Sequence, residues 1–288
     1  MKSLLRASAL VFSAAFSIVV AADSAPLRVM SCNVRLSAAN DGEDAWPKRR
    51  EFLLETIARY APDLIGFQEV LEDQHDAIVE RMTGYGFSGV ARNDGKRSGE
   101  WSNVGFRKDR FELLDSATFW LSEQPEVPGS KSWDAAITRI CTWVQLREKT
   151  TGREFYFANT HFDHRGVVAR VEAARLISAR LSQLASGGPM ILTGDFNVTE
   201  DTPPYATLVR PETPGAIKWI DAFRVVHPTR SPDEASFHGF NGTTKGSRID
   251  FVFHTAHFSP LGAAINRSQK EGRYPSDHYP VTAELRFR

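Results

Sequence analysis

Cysteine is scarce in this chain: two residues in 288, Cys32 and Cys141, and neither belongs to a CxxC pair. That excludes a disulfide-stapled scaffold and a cysteine zinc site. Charge of one sign is also lacking, since 35 Lys plus Arg face 35 Asp plus Glu. Tight, sequence-independent nucleic-acid binding depends on Lys and Arg neutralising phosphates, so the balance argues against it. Three catalytic signatures are missing too. There is no HExxH, no GxSxG elbow for a serine nucleophile and no Walker loop for a nucleotide. After the first two dozen residues no apolar run is long enough to span a bilayer.

The first residues differ from the rest. "MKSLLR" is followed by the apolar "ASALVFSAAFSIVV" and the small-residue stretch "AADSAP". A charged start, a short apolar run and a small-residue zone predict a secretory signal peptide over 1–22. The remainder, 23–288, then forms one exported domain, periplasmic or extracellular, expected to be a monomer without stable membrane insertion. Export would permit a Cys32–Cys141 disulfide, but both cysteines lie in strand-like segments and would serve equally as buried thiols.

Apolar, β-rich runs alternate with helical patterns. "LRVMSCNV", "DLIGFQEV", "RICTWVQLRE", "EFYFANTHF", "PMILTGDF", "SRIDFVFH" and "YPVTAELRF" read as strands. Helices are expected over "DAWPKRREFLLETIARYA", with Asp44 as its cap and Pro47 in its first turn, and over "VVARVEAARLISARLSQLA". Arg170 and Arg175 on the latter are expected to face solvent. The pattern predicts an α/β sandwich with mixed sheets as a single domain. A long Pro-, Gly- and Ser-rich loop, "SEQPEVPGSKSWDAAITR", is a candidate functional segment.

What the chain has in abundance is polar residues at strand ends: Asn33, Gln68 and Glu69, Asn159, His161, Asp163 and His164, Asp195 and Asn197, Arg248 and Asp250, Asp277 and His278. Singly, each suits a turn or a cap. Asp250 is harder to dismiss, because a carboxylate between Ile249 and Phe251 needs a partner, and His278 is a suitable one. Ser276, Asp277 and His278 are adjacent, yet neighbours on an extended segment point to opposite faces, so they do not make a catalytic triad. Hard oxygen donors favour Mg²⁺, with Mn²⁺ or Ca²⁺ as alternatives. Histidines beside such an ion suit phosphate contact or proton transfer. Metal-assisted hydrolysis of a phosphate ester fits this donor set best.

The order of these motifs resembles the endonuclease/exonuclease/phosphatase superfamily, the deoxyribonuclease I-like fold. Asn33 in the first strand, Gln68-Glu69, "NTHFDH", "GDFN", "RIDFVF" and "SDHYPV" carry the resemblance, and Glu100 in "GEWSNVGFRKDRF" adds to it. It implies a four-layered αββα sandwich of two mixed, mainly antiparallel sheets, with the site at one edge. It implies a divalent ion held chiefly by Glu69, with Asn33 and Asp277 close to it and its waters. Asp195 would position or deprotonate the attacking water, and Asn197 would hold that water or a phosphate oxygen. His161, paired with Glu100, and His278, oriented by Asp250, would contact the phosphate. Arg35 stands where some members have a further acid, which argues against a second tight metal. "DAWPKRR", "RICTW" and "SFHGFNG" resemble an exported branch, which places Trp133, Asp134, Arg139 and His238 around the substrate pocket. Arg248 is a further phosphate candidate.

The substrate class stays open between a small phosphoester, a glycan-linked phosphate, a lipid headgroup and nucleic acid. The chain would act on a phosphodiester or a phosphomonoester. A secreted nuclease and a non-catalytic phospho-ligand binder are the alternatives.

Overall fold

The structure, a computed structural model, describes residues 25–212 and 214–288. The expected signal peptide lies outside them. No described helix is long and apolar enough to cross a membrane.

Twelve strands form two six-stranded sheets among the described residues. The first sheet contains β1 (Leu27–Asn33), β2 (Leu64–Gln68), β3 (Tyr85–Ser88), β4 (Val104–Arg107), β11 (Phe258–Ile265) and β12 (Val281–Phe287), in the order β11-β12-β1-β2-β4-β3. The second contains β5 (Phe111–Trp120), β6 (Ile140–Glu148), β7 (Glu154–His161), β8 (Met190–Asp195), β9 (Ile220–Asp221) and β10 (Asp250–His254), in the order β5-β6-β7-β8-β10-β9. Only β1–β2 and β7–β8 pair in parallel.

Three apolar clusters define four layers. One lies between the sheets, with Val29, Val104, Phe155, Phe157, Ile191, Val252 and Val281. A second packs α1 (Trp46–Tyr60) and α2 (Glu72–Arg81) on the first sheet through Leu53, Ile57 and Ile78 against Met30, Cys32, Ile65 and Phe67. A third packs α3 (Val167–Ala185) and α4 (Pro203–Val209) on the second sheet through Ala174, Ile177, Leu181 and Leu208 against Leu192, Phe251 and Phe253. The result is the αββα sandwich expected from the sequence. A short helix, α5 (Ala222–Val226), lies after β9.

The two-residue period of a strand sets up the site. On β1, Leu27 and Val29 fill the inter-sheet layer, so Ser31 and Asn33 follow on the same face. On β7, Phe155 and Phe157 lead to Asn159 and His161. On β8, Ile191 leads to Thr193 and Asp195, and on β10 Val252 shares its face with Asp250. At one end of the sandwich the greasy filling therefore turns polar. Gly66 lets the sheets meet there, since a Cβ on it would sit 2.1 Å from Thr193 Oγ1 and 2.3 Å from Asn159 Oδ1. Gln68 Nε2 and Thr193 Oγ1 both donate to Asn159 Oδ1, at 2.7 and 3.0 Å.

Some sequence expectations need correction. Asp44 does not cap α1; it lies in a short 3₁₀ turn, and Ala45 precedes the helix without a side-chain cap. Pro47 occupies the first turn, where its missing N–H costs nothing. Strand β11 was not foreseen, because it contains Pro260 and Gly262; it is an edge strand with a bulge there, the place where a sheet tolerates both. Arg170 is half-buried, its Nη1 donating to the Asp163 carbonyl at 3.0 Å, whereas Arg175 is exposed as expected. Cys32 and Cys141 are free and sit in clusters on the outer faces of opposite sheets, with the sandwich between them. Burial pushes the Cys32 thiol up to about 12.

Candidate active site

The polar strand ends converge on one cleft of about 420 Å³. Three residues just beyond strands β1, β2 and β8 have left-handed backbone: Arg35 at φ 56°, Glu69 at φ 62° and Asn197 at φ 50°. Such conformations cost about 1–2 kcal/mol for a non-glycine residue and persist only where tertiary contacts impose them. Here they turn each chain sharply out of its strand and aim the side chains at one another.

Asn33 is the bridge. Its Nδ2 donates to Glu69 Oε1 and to Asp195 Oδ2, both at 3.0 Å, and its Oδ1 accepts from Arg35 N at 2.9 Å. Glu69 Oε2 accepts from Leu36 N at 3.1 Å. Asp195 is central. His161 Nε2 lies 3.4 Å and His278 Nε2 3.8 Å from its Oδ2, while Asn197 N donates to its Oδ1. Asn197 Nδ2 donates to the Phe162 carbonyl and to His161 Nε2 at 3.0 Å, which leaves the proton of a neutral His161 on Nδ1. That Nδ1 points toward Glu100 Oε2, 4.0 Å away, and has no hydrogen-bond partner. His278 Nδ1 lies 2.9 Å from Asp250 Oδ2, the partner the sequence required. Ser276 is a turn residue: its hydroxyl donates to the Asn33 carbonyl and receives His278 N.

Electrostatics separate the two histidines. Burial opposes the charge on His278, but Asp250 outweighs it, so its pKa rises well above the ordinary value. Burial, then Arg139 and Arg92, push His161 well below it. One ring is therefore a cation and the other neutral near pH 7. Burial and the neighbouring Asp250 push Asp195 up to about 7. Burial raises Asp277 and Glu100 as well.

The donor set fits a divalent cation. One oxygen each of Glu69 and Asp195 and a nitrogen of His278 lie within 4.8 Å of one another. His278 is held protonated by Asp250, and a metal ligand must offer a lone pair, so the two carboxylates are the better holders. Asn33 donates to both of them here, with its oxygen turned to Arg35 N. Asp277 is close by, with Oδ2 3.6 Å from Arg35 Nε.

Arg139 reaches the cleft as expected. It is 6% exposed, its Nε and Nη1 have no partner, and its nearest carboxylate oxygen is Glu100 Oε2 at 4.0 Å. Trp133 and His238 are not among the lining residues. His238 is buried, stacked 3.9 Å from the Tyr279 ring, behind the loop that carries His278. Arg248 is also misjudged as a substrate contact: it is 1% exposed and paired with Glu200 and Asp221 at 2.5 and 2.8 Å. Asp134 acts at a distance, accepting from Val168 N and Ala169 N and so tying the long loop to the start of α3. Asp163 ties the same loop through Ile137 N and braces the turn through Arg165 N and Gly166 N. Burial opposes the charge on Asp163, yet these N–H groups hold its pKa down at about 2. The sequence reading missed Ile137 and Phe237 as lining residues. Phe237 is 50% exposed with its ring centroid 5.1 Å from that of His278. The only signal was an aromatic inside "SFHGFNG", which packing would explain as well.

The profile of the Endonuclease/Exonuclease/phosphatase family matches residues 30–278. A solved endonuclease/exonuclease/phosphatase from Bacteroides vulgatus is similar at 33% identity and TM-score 0.84, over 92% of this chain and all of that one. A mannosyl-6-phosphatase from Bacteroides thetaiotaomicron is similar at 36% identity and TM-score 0.80, over 91% of this chain and all of that one. Among curated sequences, rat nocturnin is 24% identical over 88% of this chain, which spans 63% of nocturnin's length. Together with the site geometry these likenesses establish that the chain belongs to the endonuclease/exonuclease/phosphatase family.

Proposed function

We propose that the protein is an exported, Mg²⁺-dependent phosphoesterase that removes phosphate from a small sugar-phosphate monoester. One observation carries this reading: Glu69 and Asp195, carboxylates with no arginine or lysine within ion-pair distance, face the same cleft as Arg139, a buried guanidinium whose Nε and Nη1 have no hydrogen-bond partner. The first is a place for a divalent cation and the second a place for a phosphate.

Glu69 and Asp195 would hold the ion, with Asp277 near its waters. The ion would supply charge stabilisation at a phosphoryl oxygen and a more acidic water. His278, kept charged by Asp250, donates from Nε2 to a phosphate oxygen. It therefore has no lone pair for general-base work, which leaves Asp195 to take the proton of the attacking water. Asn197, held by His161 and the Phe162 carbonyl, orients that water, and Arg139 stabilises charge that grows on the phosphoryl group.

The likeness to a mannosyl-6-phosphatase supports a sugar phosphate, and the small cleft and balanced charge favour a compact substrate over a polymer. The test is release of phosphate from mannose 6-phosphate and other hexose phosphates, an aryl phosphodiester, RNA and DNA, with Mg²⁺ and with EDTA. Chelatable turnover of a sugar monoester is expected. Preference for RNA or DNA would make the protein a nuclease. Full activity in EDTA would remove the metal, and binding without turnover would make it a phospho-ligand binder.

A further inference from the structure

Arg49, the fourth residue of α1, is 3% exposed, and no carboxylate is among its hydrogen-bond partners. Its Nη1 donates to the carbonyls of Val34 at 2.5 Å and Pro275 at 3.0 Å. Its Nη2 donates to the Arg35 carbonyl at 2.7 Å, and its Nε to that of Asp44 at 2.8 Å. The guanidinium lies between two rings, 5.3 Å from the Trp46 centroid and 5.7 Å from that of Phe240. Burying a guanidinium against neutral acceptors alone is costly. Of the other buried guanidinium groups among the described residues, Arg248 sits against Glu200 and Asp221, and Arg139, in the cleft, has Glu100 Oε2 at 4.0 Å; the half-buried Arg110 sits against Asp63 and Glu148.

The segments Arg49 joins are the ones that build the site. Val34 and Arg35 follow Asn33, and the next N–H, that of Leu36, orients Glu69. Pro275 precedes Asp277 and His278. Phe240 belongs to "SFHGFNG", whose His238 and Gly239 N–H groups donate to the Asp277 carbonyl and whose Ser236 carbonyl receives Tyr279 N. Ser236 Oγ in turn receives the N–H of Asp250. Besides placing Phe237 at the cleft, this motif is therefore a brace behind Asp277, His278 and Asp250, and Arg49 binds that brace to the Glu69 side. Its charge remains at neutral pH, because burial pulls it down only to about 10. The charges it feels through space include Asp277, Asp41 and Glu69.

We infer that Arg49 is a positioning residue that fixes the Glu69 and Asp277–His278 sides of the cleft at the separation needed for cation and phosphate, and places a permanent positive charge behind the acids. This rests on the phosphoesterase reading above. It names no contact with substrate; its effect passes through the loops.

The experiment compares wild type, Arg49→Met, Arg49→Lys and, as a control, Arg110→Met. Arg110 is a half-buried guanidinium that holds Asp63, Glu148 and the Pro26 carbonyl, and it lies outside the cleft. Two quantities are read: the Mg²⁺ concentration at half of the Mg²⁺-induced rise in Tm, and kcat and KM on the preferred phosphoester. Arg49→Met is expected to raise the Mg²⁺ midpoint about 10- to 100-fold and to lower kcat by a similar factor, with KM changed less. Arg49→Lys keeps the charge but not the fork, so it is expected to fall in between. The control should lose Tm while its Mg²⁺ midpoint stays at the wild-type value. If Arg49→Met does not fold, Arg49→Lys decides. Arg49 variants within twofold of wild type in both quantities, or a control that shifts the midpoint equally, would overturn the inference. A wild type that neither gains Tm from Mg²⁺ nor hydrolyses any phosphoester would instead overturn the phosphoesterase reading, and the inference with it.

Discussion

Two clusters of charge are buried in this molecule, and they are built on opposite plans. Behind β10, cations and anions alternate: Arg248 and Arg224 share Glu200, Arg248 also binds Asp221, and Arg224 also binds Glu234. Burial opposes the charge on Glu200, but Arg224 and Arg248 hold its pKa below the ordinary value. At the cleft, Glu69, Asp195, Asp250 and Asp277 crowd together, and Asp195 and Asp277 are pushed up rather than down. The first cluster is complete as it stands and acts as structure. The second leaves Glu69 and Asp195 without an arginine or lysine partner, which is the condition of a site that a ligand completes.

The largest effect should come from breaking the incomplete cluster at its centre. Asp195→Asn and His278→Ala are each expected to lower turnover by roughly 10²-fold or more while the protein stays folded. Near-normal steady-state rates in either folded variant would sink its catalytic assignment. Asp195→Asn should at the same time raise the Tm of the metal-free protein at neutral pH, because it removes a repelled charge. The complete cluster should respond the other way. Arg248→Met strands Asp221, while Glu200 keeps Arg224, and is expected to cost about 3 kcal/mol of stability in a denaturant titration. The Mg²⁺ midpoint of the folded protein should not move.

A smaller effect concerns pH. The Asp195 pKa is about 7 in the folded metal-free chain, against an ordinary value near 4 in the unfolded one. Between these values the folded state keeps a proton that the unfolded state has released, so stability falls as pH rises from about 4 to about 7. His278 adds to the same trend: its raised pKa gives stability that is full below its unfolded value and lost as pH climbs through its folded one. Melting curves in EDTA should therefore show Tm decreasing across that range, with a shallower slope in Asp195→Asn. A flat profile in wild type would contradict the charge-deficient picture. The smallest effect is expected at the rim: Phe237→Ala should raise KM severalfold with little change in kcat, because the ring is a half-exposed apolar wall of the cleft with no polar group to act on the phosphoryl transfer.

The periodic segments were readable because strand and helix periods are local. "LRVMSCNV" reads as a strand wherever it sits, and the structure shows that its two-residue period puts Asn33 on the face of Leu27 and Val29. His278 and Asp250 could be paired from the sequence because a buried carboxylate demands a partner. Other roles could not be read. Arg248 and Arg139 follow equally plausible motifs, yet one is neutralised by Glu200 and Asp221, which are distant in the chain, and the other faces the cleft with Glu100 Oε2 no nearer than 4.0 Å and with Nε and Nη1 free of hydrogen bonds. His238 and Trp133 carried the chemistry of site residues but landed behind it or beside it.

The sequence by itself determined an α/β sandwich with mixed sheets, the strand ends that turn polar and the identity of the acids and histidines, because periodicity and residue chemistry are properties of short stretches; the four-layered αββα arrangement came from the family resemblance. Only the tertiary structure decided which charges were cancelled and which were left open. That outcome depends on distances between residues as far apart in the chain as Arg35 and Asp277, and electrostatic energy follows distance in space rather than order along the chain.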